Sequence, residues 1–339
     1  MSNTPLAGIF GCSDLQLSAD ERAFYREANP LGLILFKRNC ANPAQVKALV
    51  EDFRQAVGRA DAPVLIDEEG GKVQRLTPPA WQPHPAAREL GLLAERDLAA
   101  GERAAYLNAQ LIGLSLMELG INVDAAPVLD TLVAGANEVI GSRAFSADPA
   151  IVAALGRAAC EGFISVGVLP IIKHMPGHGR ANADSHIERP TVTTALAELW
   201  QSDFAPFKAL ADMPWAMTAH VVYSALDAQW PGTHSSKVLQ ELIRGEMGFD
   251  GVLISDCIHM NALYGSHPER AQQALVAGVD LVLNSHGSVA EMEAVAKVLP
   301  PLAGEASRRV QASLQRIANS QALALDKQAL SEERASLLG

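Results

Sequence analysis

Several features that mark particular protein classes are scarce in this sequence. Only 5% of its 339 residues are aromatic, and its four cysteines form no CxxC pair and no zinc-ligand spacing. We therefore expect reduced, mostly buried thiols, as in cytoplasmic proteins. No apolar run approaches the ~18 residues of a membrane span. The first residues, MSNTPLAGIFGCSD, lack the basic segment of a signal peptide, which again predicts a cytoplasmic location.

An excess of basic residues is also missing. The formal net charge is -11 and the sequence pI is near 5.3, which argues against nucleic acid or an anionic membrane as the main partner. A locally basic pocket for an acidic substrate group remains compatible with this charge. We expect a small-molecule substrate, and a chain that is a monomer or a weak dimer.

What the sequence does have is a regular alternation of short apolar runs with amphipathic stretches. The strand candidates are residues 7–12, 31–36, 63–68, 121–128, 168–174, 215–221, 250–256 and 280–285. Their continuous apolarity is typical of parallel strands that are covered on both faces. Three predicted helix starts carry capping signals, namely Ser18 with Glu21, Asn42 with Pro43, and Ser288 with Glu291.

The longest predicted helix runs from about Glu95 to Leu119, and Gly120 can end it. Eight strand–helix repeats without a linker predict an α/β fold, a single and somewhat irregular (β/α)₈ TIM barrel. A doubly wound open sheet is the alternative. We expect one catalytic domain over residues 1–339, with a helical tail from about residue 303.

Polar side chains gather where the apolar runs end. The tips carry Asp67, Lys173, His174, His220, Asp256 and Asn284. In a TIM barrel all these tips open on one face, where active sites are built. Polar residues at strand ends also begin ordinary surface loops, but the chemistry of this set favours a functional site.

The segment KHMPGHGRANADSH, residues 173–186, allows two chemical interpretations. In the first, a turn brings the carboxylate of Asp184 onto the imidazole of His186, which favours the protonated ring and makes an acid–base pair. Asp256, fixed at the end of an apolar strand, is its natural partner as an ionised nucleophile. In the second, a metal is bound by a converging set of side chains, namely His174, His178, His186, His220 and Asp256.

Six motifs in order along the chain resemble those of family-three glycoside hydrolases. They are DEEGGKVQRL (67–76), APVLD (126–130), GSRAF (141–145), KHMPGHG…DSH (173–186), MTAHVVYSALD (217–227) and GVLISD (251–256). The closest likeness is to the single-domain bacterial β-N-acetylglucosaminidases of peptidoglycan recycling. The resemblance implies a TIM barrel and a retaining double displacement, with Asp256 as nucleophile, His186 as acid/base and Asp184 as its partner.

The resemblance also implies a sugar-holding set. Its members are Asp67, Arg75, Arg143, Lys173 and His174, and we expect His220 and Met217 at the sixth strand tip to line the same pocket. No cofactor and no metal is implied. The implied substrate is a muropeptide, GlcNAc joined to 1,6-anhydro-N-acetylmuramic acid. Cys257 stands where relatives often have a second aspartate, which leaves the finer substrate preference open.

Three other functions compete with this prediction. The same groups would suit a phosphorolytic or β-glucoside-directed relative, because a histidine tolerates an incoming phosphate better than a carboxylate does. A metal-dependent hydrolase is the second alternative. A non-catalytic sugar-binding barrel is the third, and it is disfavoured because both the nucleophile and the acid/base positions are filled.

Overall fold

The computed structural model describes residues 4–136, 139–181, 185, 189–318 and 325–339. Its strands are β1 (Leu6–Gly11), β2 (Pro30–Leu35), β3 (Val64–Ile66), β4 (Val123–Asp124), β5 (Leu169–Met175), β6 (Thr191–Val192), β7 (Trp215–Thr218), β8 (Val222–Tyr223), β9 (Val252–Ser255) and β10 (Val282–Asn284). Eight of them form a parallel sheet in the order β10-β1-β2-β3-β4-β5-β7-β9. A parallel bridge between Ile254 and Leu281 joins the two ends of this sheet. The predicted TIM barrel is therefore confirmed, and the open sheet is wrong.

Helices follow the barrel strands along the chain. They are α1 (Ala19–Ala28), α2 (Pro43–Val57), α3 (Ala87–Ala94), α4 (Leu98–Glu118), α5 (Pro149–Ser165), α6 (Leu196–Gln201), α7 (Ala205–Ala209), α8 (His267–Ala277), α9 (Val289–Ala296), α10 (Gly304–Ala318) and α11 (Lys327–Leu338). A π-helical segment, Lys237–Glu246, follows β8. Short 3-10 turns lie at Lys37–Asn39, Gly141–Arg143 and Gly232–His234.

The predicted helix starts at Ser18, Asn42 and Ser288 are confirmed by their capping hydrogen bonds. The long helix begins later than predicted, at Leu98 rather than Glu95. The reason is a local cap, because the Asp97 carboxylate accepts a hydrogen bond from the backbone N–H of Ala100 at 3.1 Å. At the other end, Gly120 adopts a positive φ of 79° and turns the chain towards β4.

Successive residues of a barrel strand enter two different cores. In β2, Leu33 and Leu35 pack outward against the helices, whereas Ile34 points into the barrel interior beside Leu65 and Ile171. Both faces of the strand are thus covered. Successive side chains alternate between two apolar environments, rather than between an apolar face and a solvent-exposed face. This explains why the strand reads as a continuous apolar run.

Helix α10 covers the amino ends of the barrel strands. Leu302 and Val310 join the interior core, and the indole N–H of Trp215 donates to the Ser313 hydroxyl at 2.8 Å. The carboxyl ends of the strands are left for the site. In the described part of the chain, no helix combines the length and the apolarity needed to cross a membrane.

Candidate active site

A cavity of about 640 Å³ opens at the carboxyl ends of the barrel strands. Seven of the predicted site residues line it: Asp67, Arg75, Arg143, Lys173, His174, Met217 and Asp256. They come from five different strand ends or the loops that follow them, so barrel closure brings together positions up to 189 residues apart in sequence (67 to 256). Four of the six predicted polar strand tips, Asp67, Lys173, His174 and Asp256, therefore line one cavity at the expected face, whereas His220 and Asn284 do not line it.

One side of this cavity is a chain of alternating charges, which we call the ion-paired wall. It runs from Arg75 through Asp67, Lys173 and Glu69 to Arg143. The Lys173 ammonium lies 2.8 Å from an Asp67 oxygen and 2.6 Å from a Glu69 oxygen. Arg75 contacts Asp67 at 3.1 Å, and Arg143 donates two bonds of 2.8 Å to Glu69. Each interior member thus has an opposite charge on both sides.

This alternation keeps the buried groups charged. Burial alone would raise the pKa of Asp67, but Lys173 and Arg75 hold that pKa far below its usual range. Burial likewise opposes ionisation of Glu69, whereas Arg143 and Lys173 lower its pKa to about 2. The pKa of Lys173 is raised, because its two carboxylate neighbours outweigh burial. Ionised acceptors and donors therefore stand together along this wall, a combination suited to binding hydroxyl groups.

His174 is oriented by a buried carboxylate that the sequence interpretation did not single out. Asp130 is fully buried and lies 2.7 Å from Nδ1 of His174, and it also accepts the backbone N–H of His178 at 2.6 Å. The carboxylate places the proton on Nδ1 of His174 and leaves Nε2 for other contacts. Burial opposes ionisation, yet His174 holds the pKa of Asp130 below its usual value. The sequence signal that could have identified Asp130 was its position as the charged residue at the end of the apolar motif APVLD.

Asp256 follows β9 and is half-buried at the cavity. Its Oδ1 accepts the backbone N–H of Cys257 at 2.7 Å. The next carbonyl, that of Cys257, accepts a hydrogen bond of 3.1 Å from Nε2 of His220. His220 is fully buried, and its Nδ1 lies 2.7 Å from the Thr233 hydroxyl. The structure thus places His220 behind the backbone that carries Asp256, whereas we expected it to line the pocket.

Asp184 and His186, the predicted acid–base pair, lie outside the described residues. The residue between them, Ser185, is described and lines the cavity. Its hydroxyl lies 3.2 Å from Nε2 of His178, and its carbonyl accepts the backbone N–H of Ala262 at 3.1 Å. Two contacts, from two different loops, therefore fix Ser185 at the edge of the cavity.

A second row of side chains lines the same cavity with different chemistry, and we call it the aromatic wall. It consists of Phe36, His286 and His259. Arg75 of the ion-paired wall borders this row, because its guanidinium carbon lies 5.4 Å from the centre of the Phe36 ring. The ring centroids of Phe36 and His286 are 5.5 Å apart, and those of His286 and His259 are 5.9 Å apart. Sequence analysis missed this row, because its rings follow β2, β9 and β10 and meet only when the barrel closes.

The metal hypothesis finds no cluster in the described residues. Across residues 4–136, 139–181, 185, 189–318 and 325–339, no group of three or more His, Cys, Asp or Glu side chains is arranged to hold an ion. Of the predicted ligand set, His174, His178 and Asp256 line the cavity, and His220 bonds Thr233 and a carbonyl. His186 lies outside the described residues.

Comparison with known proteins relates this geometry to one family. The model of the glycosyl hydrolase family 3 N terminal domain matches residues 12–320. A β-hexosaminidase of Bordetella avium is 41% identical over 274 residues, which are 79% of this chain and 77% of that protein. The residues matched by the family model include every residue that lines the cavity.

Two solved structures are similar over nearly the whole chain. The first is a glycoside hydrolase family 3 β-N-acetylglucosaminidase from Paenibacillus sp., with a TM-score of 0.80, 36% identity, and coverage of 97% of this chain. The chain spans only 61% of that structure's length. The second is NagZ from Neisseria gonorrhoeae in complex with N-trifluoroacetyl-D-glucosamine, with a TM-score of 0.87, 29% identity and 99% of both chains covered.

Proposed function

Because the chain belongs to glycosyl hydrolase family 3, we propose that it is an exo-acting, retaining β-N-acetylglucosaminidase. Its substrate is a muropeptide, from which it removes terminal β-1,4-linked GlcNAc attached to 1,6-anhydro-N-acetylmuramic acid. The predicted enzyme class, a glycoside hydrolase of the β-N-acetylhexosaminidase type, is confirmed. The proposal goes further, to the substrate, the residues and the place of action, which is the cytoplasm.

One observation carries the proposal: Asp256 lies in the same cavity as the ion-paired wall. A sugar held by its hydroxyls against Asp67, Lys173 and Arg143 presents its anomeric carbon to the rest of the cavity. Asp256 attacks that carbon and forms a glycosyl-enzyme with inversion, and water attacks the same carbon with a second inversion. The configuration of the released sugar is therefore retained.

The proton follows the two steps. His186, with Asp184 favouring its protonated form, gives a proton to the departing glycosidic oxygen in the first step. In the second step the neutral imidazole takes a proton from the attacking water. The fixed position of Ser185 at the cavity edge supports this assignment, because Ser185 is the chain neighbour of both residues.

The supporting residues have separate tasks in this proposal. Asp67 accepts hydroxyl protons from the bound sugar, while Lys173, Arg143 and Arg75 donate to its oxygens. His174, oriented by Asp130, and Met217 complete the lining. His220 acts through its contact with the Cys257 carbonyl, by which it positions the peptide segment next to the nucleophile.

The test is the Asp256→Asn variant assayed on 4-nitrophenyl β-GlcNAc, with ¹H NMR of the first-formed anomer for the wild type. We expect kcat/KM to fall on the order of 10³-fold or more, since the amide cannot form the glycosyl-enzyme. His186→Ala should lose activity mainly on substrates with poor leaving groups. Asp61→Asn is the matched control, because this exposed aspartate precedes β3 and so lies at the amino end of the barrel, away from the cavity.

Two results would contradict the proposal. One is full activity of Asp256→Asn, and the other is an α-anomer as the first product of the wild type. The phosphorolytic alternative is examined by comparing the products with and without inorganic phosphate, because it alone yields sugar 1-phosphate. Activity on 4-nitrophenyl β-glucoside above that on the GlcNAc substrate would favour the β-glucoside alternative.

A further inference from the structure

The loop between β3 and α3, residues 67–86, supplies a large part of the cavity. Five of its residues line the cavity: Asp67, Glu69, Lys72, Val73 and Arg75. The whole loop is described, and it contains no helix and no strand. A loop of this length has no hydrogen-bond ladder of its own, so its shape depends on specific contacts with neighbouring elements. The position of Arg75 therefore depends on these contacts.

One contact point lies inside the fold, at the buried residue Glu68. Its Oε2 accepts the backbone N–H groups of Arg75 and Leu76 at 2.8 and 3.1 Å. Its own backbone N–H donates to Oδ1 of Asp124, the last residue of β4, at 2.9 Å. These bonds hold the backbone of Arg75 near the strand ends, and the turn that precedes it, residues 70–74, is held by other contacts.

The second contact point is His84, on the outer part of the loop. The backbone N–H of Gly71 donates to the His84 carbonyl at 3.0 Å, and the backbone N–H of His84 donates to Oε1 of Gln74 at 3.0 Å. The two segments of the loop approach so closely here that a Cβ on Gly70 would lie 2.5 Å from the Pro85 carbonyl oxygen. Because Gln74 is the chain neighbour of Arg75, a shift of His84 moves the segment from which the Arg75 side chain extends.

Helix α11 reaches His84 through one side chain, Arg334. Its Nη1 donates to Nδ1 of His84 at 3.1 Å and to Oδ1 of Asn108, a buried residue of α4, at 2.6 Å. Burial, together with the charge of Arg334, lowers the pKa of His84 to about 4, so the ring is neutral at pH 7 and its Nδ1 can accept this bond. Arg334 therefore joins three parts of the fold: α11, α4 and the loop.

Two ion pairs also join α11 to α4, but they are of a different kind. They are Arg103–Glu333 and Lys327–Glu118, and all four side chains are at least 36% exposed. Exposed pairs of this kind contribute little to stability. They hold one helix against the other, whereas Arg334 also holds the loop.

We propose that Arg334 is a positioning residue for Arg75: helix α11 fixes His84 through Arg334, and His84 fixes the turn that precedes Arg75. No residue of α11 lines the cavity, so Arg334 acts through the loop. This inference rests on the proposed function, because it takes Arg75 as a donor to the bound sugar. It adds a functional role for a helix that follows the barrel in the chain.

The first test measures kcat and KM of Arg334→Ala on 4-nitrophenyl β-GlcNAc. We expect KM to rise about fivefold and kcat to change less than about twofold, because a displaced Arg75 weakens binding of the substrate and of the transition state alike. His84→Ala removes the same link from the loop side and keeps the bond between Arg334 and Asn108, so it tests the inference even if Arg334→Ala folds poorly. Its KM should rise by a similar factor.

Two further variants separate positioning from stability. Arg334→Lys should restore most of the wild-type KM, because a single nitrogen of Arg334 makes both contacts and a lysine ammonium is also a single nitrogen with several donors. Lys327→Ala is the matched control, since it removes an exposed contact of 2.6 Å between the same two helices. Its KM should equal that of the wild type. A rise in KM as large as that of Arg334→Ala would show that any weakening of α11 has this effect, and would overturn the role of Arg334.

The last test is whether Arg334 acts through Arg75. Arg75→Gln alone should raise KM on the order of tenfold, and adding Arg334→Ala to it should raise KM less than about twofold further, because effects that share one element are not additive. A further rise of about fivefold would overturn the inference and leave the proposed function intact. So would a wild-type KM in both Arg334→Ala and His84→Ala beside an impaired Arg75→Gln. A wild-type KM in Arg75→Gln would instead contradict the sugar contact that the proposed function gives to Arg75, and the inference with it.

Discussion

The two walls that line the cavity differ in their chemistry. The ion-paired wall is mostly buried, although the Arg75 side chain is 25% exposed, and it is held by charge–charge contacts of 2.6–3.1 Å. The aromatic wall is partly exposed and held by one buried amide and by ring contacts. A buried charge that loses its partner destabilises the fold strongly, whereas the loss of a partly exposed ring costs little folding free energy. We therefore expect the first wall to combine stability with function, and the second to affect function alone.

The strongest way to break this contrast is Glu69→Gln. The amide keeps the shape of Glu69 but leaves Lys173 and Arg143 without a shared counter-charge. Breaking a buried pair in this way costs about 3–5 kcal/mol, so thermal and urea unfolding should show a large loss of stability. Turnover of 4-nitrophenyl β-GlcNAc should fall on the order of 100-fold, since the two cations that we propose to bind the sugar lose their fixed positions.

The matched control for Glu69→Gln is Glu333→Gln, which removes one partner of the exposed Arg103–Glu333 pair. Its melting temperature and activity should equal those of the wild type, because exposed pairs contribute little. If both variants have the same free energy of unfolding, the ion-paired wall contributes no more to stability than an exposed ion pair, and the contrast between the walls fails.

A smaller effect is expected from His178→Ala, which removes the contact with Ser185 at 3.2 Å. We expect kcat/KM to fall about tenfold on substrates with poor leaving groups and less on good ones, because the loop that carries the proposed acid/base loses one of its anchors. Burial, with His174 nearby, lowers the pKa of His178 to about 4, so the ring is neutral at pH 7.

His178→Gln supplies the sharper comparison, since its amide can still donate to the Ser185 hydroxyl. It should recover most of the lost activity. Equal defects on good and poor leaving groups, or no recovery with glutamine, would show that His178 acts only as a packing residue.

The smallest effect concerns pH and the aromatic wall. Burial lowers the pKa of His259, and the charge of Arg270 lowers it further. The hydrogen bond with Asn284 and the charge of Glu291 raise this pKa, but they do not outweigh burial. The unfolded chain therefore binds more protons than the folded one below about pH 6.5, and stability falls as pH falls from there. His259→Gln should make the decline of melting temperature from pH 7 to pH 5 shallower.

The decline should persist in part in His259→Gln. His267 beside it has a pKa lowered in the same way, and burial lowers the pKa of His84 and His234 to about 4. A variant whose melting temperature falls as steeply as that of the wild type would show that His259 is no more protonated in the unfolded chain than in the folded one.

The sequence predicts well what depends on local pattern. Barrel strands, helix caps and polar strand tips follow from apolar runs and capping residues, and Asp67 and Asp256 lie at the cavity where each follows its strand. The sequence predicts poorly the direction in which a side chain points once its strand has ended. His220 lies two residues beyond β7, where the chain leaves the barrel towards β8, and its ring points to the Cys257 carbonyl.

Glu69 and Asp130 were missed for a related reason. Both lie inside motifs that the sequence analysis quoted, but their partners, Arg143 and His174, are 74 and 44 residues away. Pattern alone gives no register for such contacts. The aromatic wall is the extreme case, since it needs β10 to lie beside β1 and β1 beside β2 before residues 36 and 286 can meet.

The filled interior of the barrel has a consequence for the order of events. The barrel interior beneath the cavity is filled by side chains such as Ile9, Leu65, Ile171 and Ile254, so the described residues leave no passage to the opposite end. Whatever enters must leave by the same mouth, and the group nearer that mouth must leave first. For the proposed reaction, the leaving-group half would therefore depart while GlcNAc is still covalently held, and free GlcNAc would be the last product to be released.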